Sequence, residues 1–412
     1  MNVLIINHPT LEIGGIENYC HHRIKDALRR KYRVIWIHYT PIVIDDIYKD
    51  IFDEIEKVAV SKHFLRNRTL SKLHFSKEDH ITIVSFTPLA HFFALKIKKC
   101  FESLDITALY IVANTKGKAY YNEENYFQPL KRILFSVLKL IHQQWSDNNY
   151  IRFFTGLQLD AFICHYGINI KDKSELISVP FAPFAPFDEN NLLNRSERKV
   201  FNLITVSRFD FPHKQYLLGL IDDYAELKKK YPQLKLTIIG YGRDEHIVTE
   251  KIESLPEKAK RDICCVGKCS TEKIDEIMKS MHLNVSVAGS VACGAKNGVL
   301  SIPARNFCGD KCEVYGFLPQ SFNMKTSVEP GERAIGYIEK VINMDKDEFI
   351  MKSKASYETF NNREFNPNWL YEQKNRGKVS CGIWIRMFFN FLLWTCGPLY
   401  RFEKFLTGKA VD

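Results

Sequence analysis

Arg208 and Lys214 stand six positions apart, between a short apolar run and a helical stripe. The run, Leu203-Ile204-Thr205-Val206, is rich in β-branched residues, the composition of a buried strand. Phe211-Pro212 forbids a continuous helix through the turn. Beyond it Leu217, Leu218, Leu220, Ile221 and Tyr224 recur at helical spacing. The two cations are therefore expected at a strand end and a helix start, where open α/β sheets bind ligands. The chemistry they suit is capture of an anionic diphosphate. Arg offers a planar fork of donors and Lys a compact point charge. The helix amino end adds free N–H groups and partial positive charge. If the diphosphate is a leaving group, such cations stabilise the charge that builds as its bond to carbon breaks. The plainer alternative is a solvated Arg and Lys at an ordinary strand–helix turn.

Two glycine pairs stand at similar places. Val3 to Asn7 reads as a first buried strand, followed by Gly14-Gly15-Ile16-Glu17 and a helix of about Ile16 to Arg30. Lys235 to Ile239 reads as a strand that ends in Gly240-Tyr241-Gly242. With Val206-Ser207-Arg208-Phe209-Asp210-Phe211-Pro212-His213-Lys214, these segments resemble the GT-B glycosyltransferases, in particular the retaining, family 4-like group (glycosyltransferase group 1). The resemblance implies an α/β chain of two Rossmann-like, doubly wound parallel-sheet domains facing a cleft, with a C-terminal amphipathic helix. It implies a nucleotide-diphosphate sugar as co-substrate, no other cofactor, no metal, and retention at the anomeric carbon. Carried onto this chain, Arg208 and Lys214 take the catalytic role at the diphosphate. Gly14, Gly15, Glu17, Gly240, Gly242 and Ser290 take donor binding.

One departure is large. The family places two glutamates, with seven residues between them, before a Gly-x-Pro frame, the second commonly holding the ribose. Aligning Gly298 with the family glycine puts Val285 and Cys293 at those positions and Leu300 at the proline. Glu313 is a nearby substitute in sequence only.

The elements that must position these residues alternate strand and helix. Tyr32 to Tyr39, Ile81 to Ser85 and Ala108 to Ala113 read as strands, and Tyr120 to Trp145 carries helical apolar patches. Asp160 to Cys164 and Ile177 to Pro180 read as the last strands of the first domain. In the second domain Asp262 to Gly267 and Leu283 to Val287 read as strands around a helix at Thr271 to Met281. The alternation implies parallel sheets. The expected divisions are an acceptor-side domain at 1–180, a Pro-rich linker at 181–200, a nucleotide-sugar domain at 201–350, a returning helical segment at 351–378 and a tail at 379–412.

Length and composition bound the rest. At 412 residues, two domains are expected, and 45% hydrophobic content with 26% charge is globular. The net charge of +10 favours anionic partners, but no long Lys/Arg run or nucleic-acid signature appears, so no nucleic acid is expected. Eleven scattered cysteines, without a Cys-x-x-Cys pair, suit reduced thiols in a cytosolic setting. MNVLIINHPT reads as a strand, so no secretory signal is expected. Asp345-Lys346-Asp347 has a metal-binding spelling but lies in a polar, helix-like run and reads as solvated surface. His8 and His91 are weak acceptor-side candidates.

Val379 to Leu399 is apolar and aromatic, with Arg386 inside it and Lys374, Arg376, Lys378, Arg401 and Lys404 around it. That pattern reads as an interfacial helix with basic anchors rather than a span, so membrane contact is expected through 379–404. The alternative is a helix packed against the first domain. The combined expectation is a hexosyltransferase-type enzyme, cytoplasmic and peripheral on the inner face of the cell membrane. It would move a sugar to a glycan or lipid-linked glycan in polysaccharide biosynthesis. The rival is a degenerate, non-catalytic GT-B protein that binds nucleotide or serves as an assembly subunit.

Overall fold

The computed structural model describes residues 1–376 other than 12–13, 40, 61–66, 113–127, 155, 171–185, 198, 307, 320–329 and 362–367. The chain divides into two compact units. Unit 1 is Met1–Thr115, Glu123–Val179 and the chain from Asn368 onward; unit 2 is Lys116–Asn122 and Pro180–Pro367.

Unit 1 holds six parallel strands: β1 (Asn2–Asn7), β2 (Arg33–Tyr39), β3 (Glu56–Val60), β4 (His80–Ser85), β5 (Asp105–Val112) and β6 (Ile151–Phe153). Their order is β3-β2-β1-β4-β5-β6, so the winding reverses between β1 and β4. The central strands are near-continuous apolar runs because helices cover both faces. Ile5, Ile83 and Ala108 on one face and Leu4, Val84 and Leu109 on the other are all fully buried. The helices are α1 (Gly15–Arg29), α2 (Pro88–Cys100), α3 (Gln128–Asp147) and α4 (Gly156–Tyr166).

Helix α4 corrects the expected strand at Asp160 to Cys164. Leu159, Phe162 and Tyr166 are buried and Ile163 packs against the same core, a helical face that a five-residue window hides. The expected strand at Ile177 to Pro180 lies outside the described residues.

Unit 2 holds β7 (Phe201–Val206), β8 (Leu234–Ile239), β9 (Ile263–Gly267), β10 (Leu283–Ser286) and β11 (Leu300–Pro303), in the order β11-β10-β7-β8-β9. The reversal here falls between β7 and β10. The helices are α5 (Glu189–Ser196), α6 (Tyr216–Lys230), α7 (Glu245–Glu253), α8 (Glu257–Lys260), α9 (Thr271–Met278), α10 (Gly289–Lys296), α11 (Ala334–Asn343) and α12 (Lys346–Asn361).

Two stretches differ from the expected divisions. Part of the linker, Glu189–Ser196, is a helix that Asp188 caps and whose Leu192 is buried. Helix α12 runs straight through position 350, because Phe349, Ser353 and Ser356 all face the core of unit 2. After Pro367 the chain rejoins unit 1 through α13 (Trp369–Glu372). There Leu370 is fully buried, and the Asn375 amide bonds both the N–H and the C=O of Ala108 at 2.8 and 2.9 Å. The tail from 377 lies outside the described residues. No described helix is long and apolar enough to cross a membrane.

Candidate functional site

In unit 2 the site is built where β7 and β10 part. They pair only at Leu283–Leu203 and Asn284–Ile204, and then diverge. The next N–H on that side of β7, from Val206, is taken by Ser286 Oγ at 3.0 Å. Ser286 in turn donates to Asn284 Oδ1 at 2.7 Å. Tyr216, fully buried at the start of α6, lies 3.1 Å from Thr205 Oγ1. Burial pushes its phenol up to about 12, against hydrogen bonds from Ser207, Thr205 and Ser286. The opening between the strands is thus floored by hydroxyls. In an open α/β sheet such a reversal point, at the carboxyl ends of the strands, is where ligands bind.

Arg208 and Lys214 stand at this opening. Arg208 follows β7 with its side chain half-exposed, 3.4 Å from Asp210. A pair that long and that exposed is worth little, so the guanidinium remains available. Asp210 is held on its other oxygen by Arg243 at 2.8 Å. Lys214 donates to Asn306 Oδ1 at 3.3 Å. Its amine is pushed down to about 8, first by burial and then by the charge on Arg208. His213 is pushed down to about 4 by burial, with Lys214 adding to it. At neutral pH the site therefore carries two adjacent cations and a neutral imidazole. Such an arrangement is poised for an anion, whose arrival would raise the Lys214 amine again.

The glycines of β8 are used by the protein itself. A Cβ on Gly240 would stand 2.9 Å from the Phe209 ring, and one on Gly242 2.8 Å from the Phe209 carbonyl carbon. The β7 and β8 loops are stitched there, Phe209 N to Tyr241 O at 2.9 Å and Asp244 N to Phe209 O at 3.2 Å. Phe211 N also donates to Asp244 Oδ2 at 2.7 Å. The two glycines thus hold the Arg208 segment in place.

Ser290 lies half-buried in the first turn of α10, its carbonyl held by the Asn284 amide at 2.9 Å. Only Val287 and Ala288 connect β10 to α10. Ala288 takes φ 53° and ψ −124°, a region that normally belongs to glycine. Strain of this kind clusters at functional sites.

The same short connection explains what became of the two carboxylate positions. Val285 lies inside β10, fully buried, and Cys293 packs against the apolar cluster of Ile204, Ile239 and Met278. Glu313 does not replace them. It begins β12 (Glu313–Val314), pairs with Arg305 and accepts Gly331 N–H at 3.0 Å. Burial works to raise its carboxyl, and the Arg305 bond overrides this and leaves it below the usual range.

In unit 1, Gly14 caps α1 in extended backbone, and Glu17 folds back over it. A Cβ at Gly14 would lie 3.0 Å from the Glu17 carboxyl carbon, whereas Gly15 faces open space. Glu17 meets His8 Nε2 at 3.0 Å, and the His8 carbonyl accepts Trp36 Nε1–H at 2.8 Å. Glu17 is therefore engaged with His8. Buried His8 sits just past β1, beside the unit 1 reversal point. His91 is fully buried among aromatic rings, which corrects its reading as an acceptor-side contact. Asp345 is exposed and caps α12 through Glu348 N–H at 2.8 Å. Sequence reading missed Asn306, Asp244 and Tyr216. Tyr216 carried a signal, as the one polar ring at the start of an apolar helix.

No protein-family model matches the chain, and no curated protein matches it significantly. Solved structures do. Anabaena HepE, in complex with UDP and glucose, is similar with TM-score 0.55 and 13% identity, over 90% of this chain and 97% of that one. A glycosyltransferase from Rickettsia africae gives TM-score 0.55 and 14% identity, over 90% and 95%. WaaG, a glycosyltransferase involved in lipopolysaccharide biosynthesis, gives 0.53 and 12%, over 90% and 98%. At such identity the likeness is one of backbone, and it agrees with the two doubly wound sheets: the chain has the GT-B fold.

Proposed function

We propose that this chain is a glycosyltransferase that takes a sugar from a nucleotide-diphosphate donor held in unit 2. The observation that carries the reading is the coupled pair Arg208 and Lys214 at the β7/β10 opening. As the bond from the anomeric carbon to the diphosphate breaks, negative charge grows on the departing oxygen. The Arg208 fork and the Lys214 ammonium receive it, and neither needs to reorganise far because Asn306 already holds Lys214. HepE, of the same fold, was solved with UDP, which supports a uridine diphosphate as the first nucleotide to try. We extend the proposal, on the family 4-like segments, to transfer with retention and without metal. The acceptor we propose is a lipid-linked glycan or surface polysaccharide, reached by a cytoplasmic protein peripheral on the inner face of the cell membrane. The basic, aromatic pattern of 379–404 supports this.

Calorimetric titration with a panel of nucleotide diphosphates tests the site. Losing both cations by Arg208→Ala and Lys214→Ala should weaken binding by at least about a hundredfold, two charge-assisted contacts being removed. Equal binding by both proteins overturns the assignment.

A second reading is favoured by Val285 and Cys293, which leave no carboxylate at the family positions. In it the chain binds nucleotide and serves as an assembly subunit without transferring sugar. Nucleotide release from a sugar donor in the presence of acceptor excludes it; tight nucleotide binding with no turnover over any donor supports it.

A further inference from the structure

We infer that Arg23, with the hydroxyls of Tyr19 and Tyr371, forms a binding site in unit 1 for a small oxyanion, a phosphate or carboxylate group. Four cations are buried among the described residues: Arg23, Arg152, Arg195 and Lys228. The other three each make at least two hydrogen bonds, although Arg195 Nε, like Arg23 Nε, has none. Arg152 donates to Gln373 Oε1 at 2.9 Å and to Ile151 O at 2.7 Å. Arg195 donates to Met281 O at 2.8 Å and Gly298 O at 3.0 Å. Lys228 meets Asp262 at 2.6 Å and Leu234 O at 2.7 Å. Arg23 is 5% exposed and makes no hydrogen bond or ion pair among the described residues. Its one partner is the face of Tyr19, 5.5 Å from the guanidinium carbon. Its Nε is buried without an acceptor, which costs free energy unless something outside the chain supplies one.

The groups around it are donors as well. The hydroxyls of Tyr19 and Tyr371 are buried without a partner. Burial holds both phenols well above their usual range, with Arg23 pulling the other way. They stay protonated, with O–H groups to give. The carboxylates on the same helix are already used, Glu17 by His8 at 3.0 Å and Asp26 by Arg30 at 3.2 Å. A cluster of donors without an acceptor is the complement of a group with several oxygen lone pairs.

Its place is suited to a ligand. The Tyr19 ring meets Phe86, just past β4, at 6.0 Å and Phe154, just past β6, at 5.3 Å. Tyr19 thus adjoins the carboxyl edge of the unit 1 sheet, beside the β1/β4 reversal, while Tyr371 packs on Tyr32, just before β2, at 4.8 Å. The oxyanion site does not depend on the donor reading. Its use for an acceptor that carries a phosphate or carboxylate rests on that reading.

The test is made on the full chain with Arg208→Ala and Lys214→Ala already present, so that the unit 2 cations bind no probe. The heat-denaturation midpoint is followed while inorganic phosphate, or separately acetate, replaces chloride at constant ionic strength. Isothermal titration gives the affinity. A rise with phosphate alone identifies a phosphate group; a rise with acetate identifies a carboxylate. Arg23→Leu should abolish the rise, and Tyr19→Phe, which keeps the ring, should weaken binding by about tenfold, as expected for one hydrogen bond to a charged group. Tyr19→Phe alone decides the matter if Arg23→Leu fails to fold. No effect of either anion beyond chloride means that Arg23 is merely hydrated, and overturns the inference. So does an anion effect that survives both substitutions.

Discussion

Acid should unfold unit 1 through two histidines. His91 on α2 and His142 on α3 are both fully buried, and none of their four ring nitrogens has a hydrogen-bond partner. Trp145 lies 4.5 Å from the His91 ring, and Tyr166 and Phe162 lie 4.4 and 4.8 Å from that of His142. Among the described residues no group bonds to either ring to take up a proton's charge. Burial pushes both imidazoles down to about 3, with a smaller push from a neighbouring histidine on each. In the unfolded chain they titrate near their ordinary value of about 6.5. Between about 6.5 and 3 the unfolded state binds protons that the folded state refuses, so stability is full above that window and falls as pH falls. At pH 5 the loss is about 2 kcal/mol per histidine, hence about 4 kcal/mol for the pair. That is a large share of the 5–15 kcal/mol or so that holds a typical domain. The assay is urea unfolding at pH 7 and pH 5, read by tryptophan emission. Trp36 and Trp145 are both fully buried in unit 1, so their emission reports that unit. The double variant His91→Leu, His142→Phe should lose about 4 kcal/mol less between the two pH values, each single variant about half of that. An equal acid loss in the wild type and the double variant would refute the reasoning.

Three further outcomes are expected. Affinity for a nucleotide diphosphate should be level below about pH 8 and fall by up to about tenfold per pH unit above it, as Lys214 loses its proton. Lys214→Arg should flatten that titration profile. Ser286→Ala should cost about 1–3 kcal/mol, because it strands the half-buried Val206 N–H and frees Asn284 Oδ1; chemical denaturation measures it. Gly240→Ala should cost at least as much, about 1–3 kcal/mol or more, since its methyl would collide with the backbone of Ser207. It should also weaken nucleotide binding by displacing Arg208, which titration of the folded fraction would show.

The parts of the fold legible in the sequence are those that a local pattern decides. Val3 to Asn7, Ile81 to Ser85 and Leu203 to Val206 announce themselves because a strand covered on both faces must be apolar throughout. Glu56 to Val60 does not, since it is an edge strand with charges at its start, and Ile151 to Phe153 is too short to show a period. Asp160 to Cys164 was misleading for the reason that periodicity fails in short windows: its helical face needs Leu159 and Tyr166 to complete it. Arg208 and Lys214 were legible because a strand end and a helix start are both local. Asn306, which holds Lys214, lies 92 positions away along the chain, on the loop after β11, and only the sheet order brings it near.

Arg23 shows where sequence reading stops. On α1 it lies one turn beyond Tyr19, and Cys20, Ile24 and Ala27 complete the buried face. A pattern with one Arg at the margin of an apolar stripe reads as a side chain whose stem packs and whose head reaches water. Near it in the folded chain comes Tyr371 of α13, nearly 350 positions later in sequence, whose phenol feels the charge of Arg23. Burial is a property of that return and not of the helix. The same return explains why the cost is retained: Leu370 and Asn375 fasten the segment to the unit 1 core and to β5 whatever Arg23 does. A guanidinium beside a segment that is anchored elsewhere keeps its Nε without an acceptor. Its charge must then be met by something the chain itself does not supply.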